Sequence, residues 1–211
     1  MVDIVKAGGW LMAPIILCAI IAMGICFERY WILQLKRVIP EDLTSKVWAW
    51  VKRDALDQSQ IQTLHQGSPL GQILAAGLIN RDRDRAIMKD SIEDTGRHVV
   101  HELQRYLDTL GTIAAITPLL GLLGTVIGMV KVFTAITTHG VGDPTILAGG
   151  IAEALITTGA GLSVAIPALI GYRYYRNRID SLVVEMEKEA IKLVEALHRR
   201  QDKKNVSSKK K

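Results

Sequence analysis

A chain of 211 residues has room for one ordinary globular domain, yet its apolar residues gather in long blocks with the charges between them. Aromatic residues make up only 5% of the chain, with two Phe, which excludes a large soluble core built on aromatic packing and leaves Ala, Leu, Ile, Val and Gly to pack helix on helix. The formal net charge of +5, with Lys203, Lys204, Lys209, Lys210 and Lys211 near the end, comes without a nucleic-acid-binding motif, so no nucleic-acid partner is expected and anionic lipid is the expected attractor of the basic residues.

Residues 1–7 read as a short periplasmic amino terminus. Residues 8–27 hold no charge over about 20 positions, enough for a helix to cross a bilayer. A signal peptide is disfavoured by the single Lys6 and by the lack of a small-x-small cleavage site. The block runs instead into Glu28-Arg29-Tyr30-Trp31, an interfacial anchor, and residues 8–37 form span one with its cytoplasmic extension. Cys18 and Cys26 lie too far apart on one helix for a disulfide within it and read as packing residues. Residues 38–106 mix helical periodicity with many charges, as in Arg81-Asp82-Arg83-Asp84-Arg85, and read as a cytoplasmic helical domain with a solvated face.

A second uncharged block, 109–130, sits in a span predicted over 107–137. A third, 145–172, is interrupted only by Glu153. Between them a turn at 138–144 is expected, with Asp143 capping a helix that begins at Pro144, so spans two and three form a hairpin. Beyond the third span Ile179, Leu182, Val183, Met186, Ala190, Leu193, Val194 and Leu197 recur every three or four residues, so the helix continues to about 200 as an amphipathic stem, with a basic disordered tail over 201–211. Arg29, Lys36, Arg37, Arg97, Arg105, Arg173, Arg176 and Arg178 mark the cytoplasmic flanks, whereas the hairpin carries only Lys131 and His139. The fold class is therefore an all-α membrane protein with three transmembrane helices and long cytoplasmic helical extensions, amino terminus out and carboxyl terminus in.

At roughly 100° per residue, Gly149, Glu153, Thr157, Ala160, Gly161, Val164, Ala168 and Gly171 share one face of span three. On span two, Thr117, Gly121, Gly124 and Gly128 share a face, opposite Leu119, Leu122, Leu123, Val126 and Val130. The small faces suit close helix contact and a pore wall; the bulky face suits lipid or a neighbouring subunit. A carboxylate in hydrocarbon costs at least ~2.5 kcal/mol on insertion scales, so Glu153 must face protein or water, and it is the candidate proton-handling residue. Thr157, one turn on, and Thr125 on span two would add hydroxyls to an ion pathway. The structural alternative is a protonated Glu153 bonded to neighbouring helices, with threonines bonded to their own carbonyls. No phosphate-binding loop, zinc spacing or hydrolase elbow is present, so no enzyme, metal or cofactor site is expected. One carboxylate makes a poor conducting path alone, which implies several copies, a partner, or both.

The run Leu107-Asp108-Thr109-Leu110-Gly111-Thr112-Ile113-Ala114, leading into Thr117-Pro118-Leu119-Leu120-Gly121-Leu122-Leu123-Gly124-Thr125-Val126-Ile127-Gly128-Met129, resembles the signature of the MotA/TolQ/ExbB proton-channel family. Gly150-Ile151-Ala152-Glu153-Ala154-Leu155-Ile156-Thr157-Thr158 and Ala165-Ile166-Pro167-Ala168 resemble its third-span motif. With Ala7-Gly8-Gly9-Trp10 through Phe27-Glu28-Arg29, the likeness covers nearly all of the chain. It implies a homopentamer enclosing the single spans of an ExbD-type dimer, proton-driven work passed to a TonB-type protein for outer-membrane uptake, and a Gram-negative inner-membrane location. It also implies pore-lining roles for Glu153, Thr125 and Thr158, ranking Thr158 above the Thr157 that periodicity favours. The short amino terminus departs from those ExbB proteins that carry a long periplasmic extension, and the chain is too short for the four-span MotA plan; the ExbB branch leads, ahead of the TolQ branch of the Tol-Pal envelope system. A non-conducting membrane scaffold is the alternative from a different class.

Overall fold

The computed structural model describes residues 7–53, 57–81, 83–139 and 144–208. These fold as eight helices, and no strand occurs among the described residues: α1 Met12–Ile32, α2 Leu35–Val38, α3 Glu41–Arg53, α4 Gln58–Gly67, α5 Pro69–Ile79, α6 Arg85–Leu103, α7 Leu107–His139 and α8 Pro144–Ser208. Three helical stretches are long and apolar enough to cross a membrane: Met12–Ile32, and one each within Arg85–Thr138 and Leu147–Arg199. The chain is an all-α membrane protein with three such helices.

Several boundaries differ from the sequence-based expectation. Span one begins at Met12, after a turn through Gly8–Leu11, and its extension is broken at Leu33–Gln34 before α2. Glycine at Gly9, with φ +68°, makes that first turn, and its carbonyl accepts from the Met12 amide at 3.2 Å. The expected disordered tail is helical as far as Ser208, and α8 carries no proline after Pro167. Asp82, the 1–6 terminus, the 140–143 part of the turn with its Asp143 cap, and 209–211 lie outside the described residues.

The chain divides into two compact units, the first comprising Met1–Arg29 and Tyr106–Tyr175. In it α1, α7 and the start of α8 pack around Ile15, Leu110, Thr117, Thr157 and Ala168, all at most 2% exposed. The outward faces are the bulky ones: Leu17, Ile20, Met23 and Phe27 on α1, and Leu119, Leu122, Leu123, Val126 and Val130 on α7, are all exposed side chains suited to lipid or a neighbouring subunit. Tyr175 donates to the Cys26 carbonyl at 2.7 Å and ties α8 to α1. At the α1 end Arg29, 2% exposed, lies 5.7 Å from the Tyr106 ring centroid and bonds Glu28 at 3.1 Å. Tyr106 itself holds φ 61°, a left-handed kink directly before α7.

The second unit comprises Tyr30–Arg105 and Arg176–Lys211. Its helix starts are locally encoded. Asp57 and Gln60 form a capping box on α4, Ser68 caps α5 ahead of Pro69, and Asp84 caps α6. Hydrogen bonds from Ser59 and the Gln58 amide hold the exposed Asp57 carboxyl below the usual carboxylate range, so the cap stays charged into mild acid. Leu70, Leu74 and Leu78 of α5 are buried together with Met88 of α6 and with Ile179, Leu182, Met186 and Leu193 of α8. A β-carbon at Gly77 would meet Ile92 and Leu193, so α5 touches both α6 and α8. The apolar stripe of the stem thus has its packing partner within this unit.

The closest packing in the first unit runs along α7 and α8. A β-carbon placed on Gly128 would lie 2.8 Å from the Ala154 β-carbon and the Gly150 carbonyl, and one on Gly161 would lie 2.6 Å from the Thr117 carbonyl. Gly121 and Gly124 meet Thr158 and Thr157 in the same way. Gly149, expected on this face, has open space around it instead; Gly150 meets α7 through Val132. Gly128→Val should therefore destabilise the protein by about 1–3 kcal/mol through overpacking, while Gly149→Ala should be neutral, as thermal unfolding in detergent would register. Equal midpoints for the two variants would contradict this helix contact.

Candidate functional site

Glycines let α7 and α8 approach until polar side chains one turn further on can meet across the gap. At that end, the Lys131 Nζ donates to both oxygens of Glu153, at 2.6 Å to Oε1 and 2.8 Å to Oε2. Glu153 is 17% exposed and Lys131 53%. The carboxylate expected to be alone in its helix is therefore ion-paired, with a bidentate partner from the neighbouring helix.

The third wall is the turn before α1. A β-carbon on Gly9 would overlap the Glu153 Oε1, and one on Gly8 would come within 3.3 Å of Ile156, one turn from Glu153. Gly9 is thus fixed twice, by its positive φ and by the carboxylate against its α-carbon. The Glu153 carboxylate of α8 is thus met by α7 through Lys131 and by the turn before α1 through Gly9, all within the first unit.

The threonines are placed differently from one another. Thr157 is buried, faces Gly124, and gives its hydroxyl to the carbonyls of Glu153 and Ala154 at 3.0 and 2.9 Å. Thr158, half-buried, donates across the interface to the Gly121 carbonyl at 2.9 Å. Thr125 is half-buried and bonds the Leu122 carbonyl of its own helix at 2.6 Å. Thr117 is fully buried and bonds the Ile113 carbonyl. Gly121, Gly124 and Gly161 are buried, Ala160 is half-buried, and Gly149 is exposed. The structure thus brings Gly121, Gly124, Thr157 and Thr158 together with Thr117 and Gly161 along one seam, with Gly128 further along it. It leaves Gly149 outside. Among the described residues, no group of three or more His, Cys, Asp or Glu is gathered as a metal would need.

The sequence profile of the MotA/TolQ/ExbB proton channel family matches residues 65–188. The chain belongs to this family. The ExbB-like 1 protein of Synechocystis sp. is 34% identical over 169 residues, 79% of this chain and 66% of its own length. The biopolymer transport protein ExbB of Salmonella typhimurium is 33% identical over 150 residues, 62% of each chain. The Tol-Pal system protein TolQ of Haemophilus influenzae is 33% identical over 107 residues, 49% of this chain and 47% of its own length. The chain thus spans roughly half to two-thirds of the length of these relatives. The stretch matched by the MotA/TolQ/ExbB profile contains Thr125, Lys131, Glu153 and Thr158, whereas Gly9 lies outside it.

Lys131 and Gly9 were not legible as site residues, Lys131 because a basic residue near a span end reads as an interfacial flank. A usable signal existed for it. In an antiparallel hairpin, residues equally distant from the turn face each other, and Lys131 lies nearly as far before the turn as Glu153 lies after it. For Gly9 the glycine pair was visible, but nothing local tied it to a residue so distant in sequence.

Gly9→Ala should disturb both the turn and the carboxylate. The left-handed backbone alone costs a non-glycine residue about 1–2 kcal/mol, and the new methyl group would push Glu153 off Lys131. A lowered unfolding midpoint in detergent, together with a weakened function, is the expected outcome. A Gly9→Ala protein that matches the parent in both respects would contradict the contact.

Proposed function

We propose that this chain is an ExbB-type channel subunit of an inner-membrane motor driven by the proton-motive force, with Glu153, Thr125 and Thr158 on the ion pathway. The observation that carries the reading is Glu153: a carboxylate only 17% exposed, held by Lys131 where two apolar spans meet, a pair of charges taken out of water at a cost that helix packing alone does not require. Family membership supports the channel class. Thr157, buried against Gly124, is a packing residue in this reading, and the half-buried Thr125 and Thr158 are the pathway threonines.

In the proposed assembly, copies of the chain form a ring, a homopentamer, around an ExbD-type single-span partner, and a TonB-type protein carries the work to outer-membrane receptors such as those for iron-siderophore complexes. In this assembly the amino terminus is periplasmic and the carboxyl terminus cytoplasmic, next to anionic lipid, a reading that the basic flanks support. The energy scale suffices, since one charge crossing 100 mV releases about 2.3 kcal/mol. The longer overlap with the ExbB-like relative, 79% of this chain against 49% for a TolQ, favours the ExbB branch. The TolQ branch is the second reading, because a TolQ relative matches at the same identity, 33%, over a shorter stretch.

Glu153→Ala should abolish energised uptake of iron-siderophore complexes while the protein still accumulates in the membrane, because the stranded Lys131 is half exposed and can hydrate. Full uptake by that variant would sink the reading and favour a scaffold. Co-purification of an ExbD-TonB pair, as against TolR with TolA, separates the two branches.

A further inference from the structure

We propose that Lys131 is a tethered counter-cation that reserves Glu153 for protons and keeps metal cations off it. The proposal rests on the functional reading above and assigns the ion that this site accepts. The Lys131 Nζ reaches both carboxylate oxygens, at 2.6 and 2.8 Å, so the position a dissolved cation would take between them is already filled. On the Oε1 side the Gly9 α-carbon closes the approach.

Among the described residues, the site also lacks the cluster of His, Cys, Asp and Glu donors that would hold a metal ion. Hard metal cations are held by a shell of roughly six or more oxygens, whereas a proton needs one. The nearest hydroxyl on the same helix, that of Thr157, is turned to the carbonyls of Glu153 and Ala154 and packed against Gly124. Among the described residues of the segments that meet Glu153, namely the turn before α1, α7 beside Gly128 and its own turn of α8, Lys131 is the charged group facing it.

The exchange with a proton runs through the carboxylate alone. A proton arriving at a carboxylate oxygen forms an O–H bond and removes the negative charge that held Lys131. The lysine keeps its own protons, leaves the now neutral acid, and swings on its flexible stem toward the exposed side, where it is already half accessible. When the proton departs, the ammonium returns. A sodium ion has no such route, because it must displace a cation held at high effective concentration by its tether without neutralising the carboxylate covalently.

The test uses membrane vesicles from cells that make the full chain with its natural partners, comparing proton flux in sodium chloride and choline chloride and following radioactive sodium uptake. Parent vesicles should pass protons equally in both salts. Lys131→Gln should pass several-fold less proton flux in sodium than in choline, or take up sodium, and Lys131→Arg should behave like the parent. If Lys131→Gln does not accumulate, Lys131→Met, which keeps the stem and loses the charge, serves in its place. Flux indifferent to sodium in the charge-free variant, or abolished in both salts at normal membrane levels, overturns the proposal. Glu153→Gln run alongside separates the two layers: if it stops proton flux, the functional reading stands whatever Lys131 does, and if it conducts like the parent, that reading itself fails.

Discussion

Two helices, α7 and α8, approach until backbone meets backbone or a small side chain, because Gly121, Gly124, Gly128, Gly150 and Gly161 add no side chain of their own to the seam. Within a bilayer there is little hydrophobic gain from packing one apolar helix on another, so such contact depends on van der Waals fit and on hydrogen bonds across the seam. Thr158 supplies one of those bonds by donating to the Gly121 carbonyl, and the register it fixes runs the length of the hairpin. With that register set, Lys131 and Glu153 fall opposite each other at a distance a lysine can span.

The chemistry of the site follows from the same separation. A carboxylate on a lipid-facing helix would be costly, but this one is enclosed by α7 on one side and by the Gly8–Leu11 turn on another. Its charge is balanced by a partner whose stem is long enough to move, and on another side it lies against a glycine, Gly9. Removing any one wall alters the other two, which is why a glycine before α1 bears on an ion pair between α7 and α8. The second unit is built on different physics, with capped amphipathic helices around a Leu and Met core.

Much of this was legible in the sequence because membrane helices announce themselves by composition. The uncharged blocks located the three apolar helices, and the small faces of spans two and three named Gly121, Gly124, Gly128 and Gly161, which all sit on the α7–α8 seam. The stem stripe from Ile179 to Leu197 was readable from its period, and its partner α5 was not, since periodicity names a face without naming what covers it. Gly149 and Gly150 show the limit of a helical wheel: adjacent small residues are indistinguishable by type, and only the crossing geometry selects Gly150. Thr157 and Thr158 posed the same problem. Periodicity placed Thr157 beside Glu153, correctly as a neighbour, yet its hydroxyl is occupied by its own helix.

The central claim is that Glu153 takes and releases a proton while the complex works, exchanging it for the Lys131 contact. Infrared difference spectroscopy of the membrane-embedded complex, energised against de-energised, observes that carboxyl directly. The account predicts a protonated-carboxyl band that appears on energisation and is missing from the Glu153→Gln protein. A difference spectrum with no such band, or with one that survives the substitution, would contradict it.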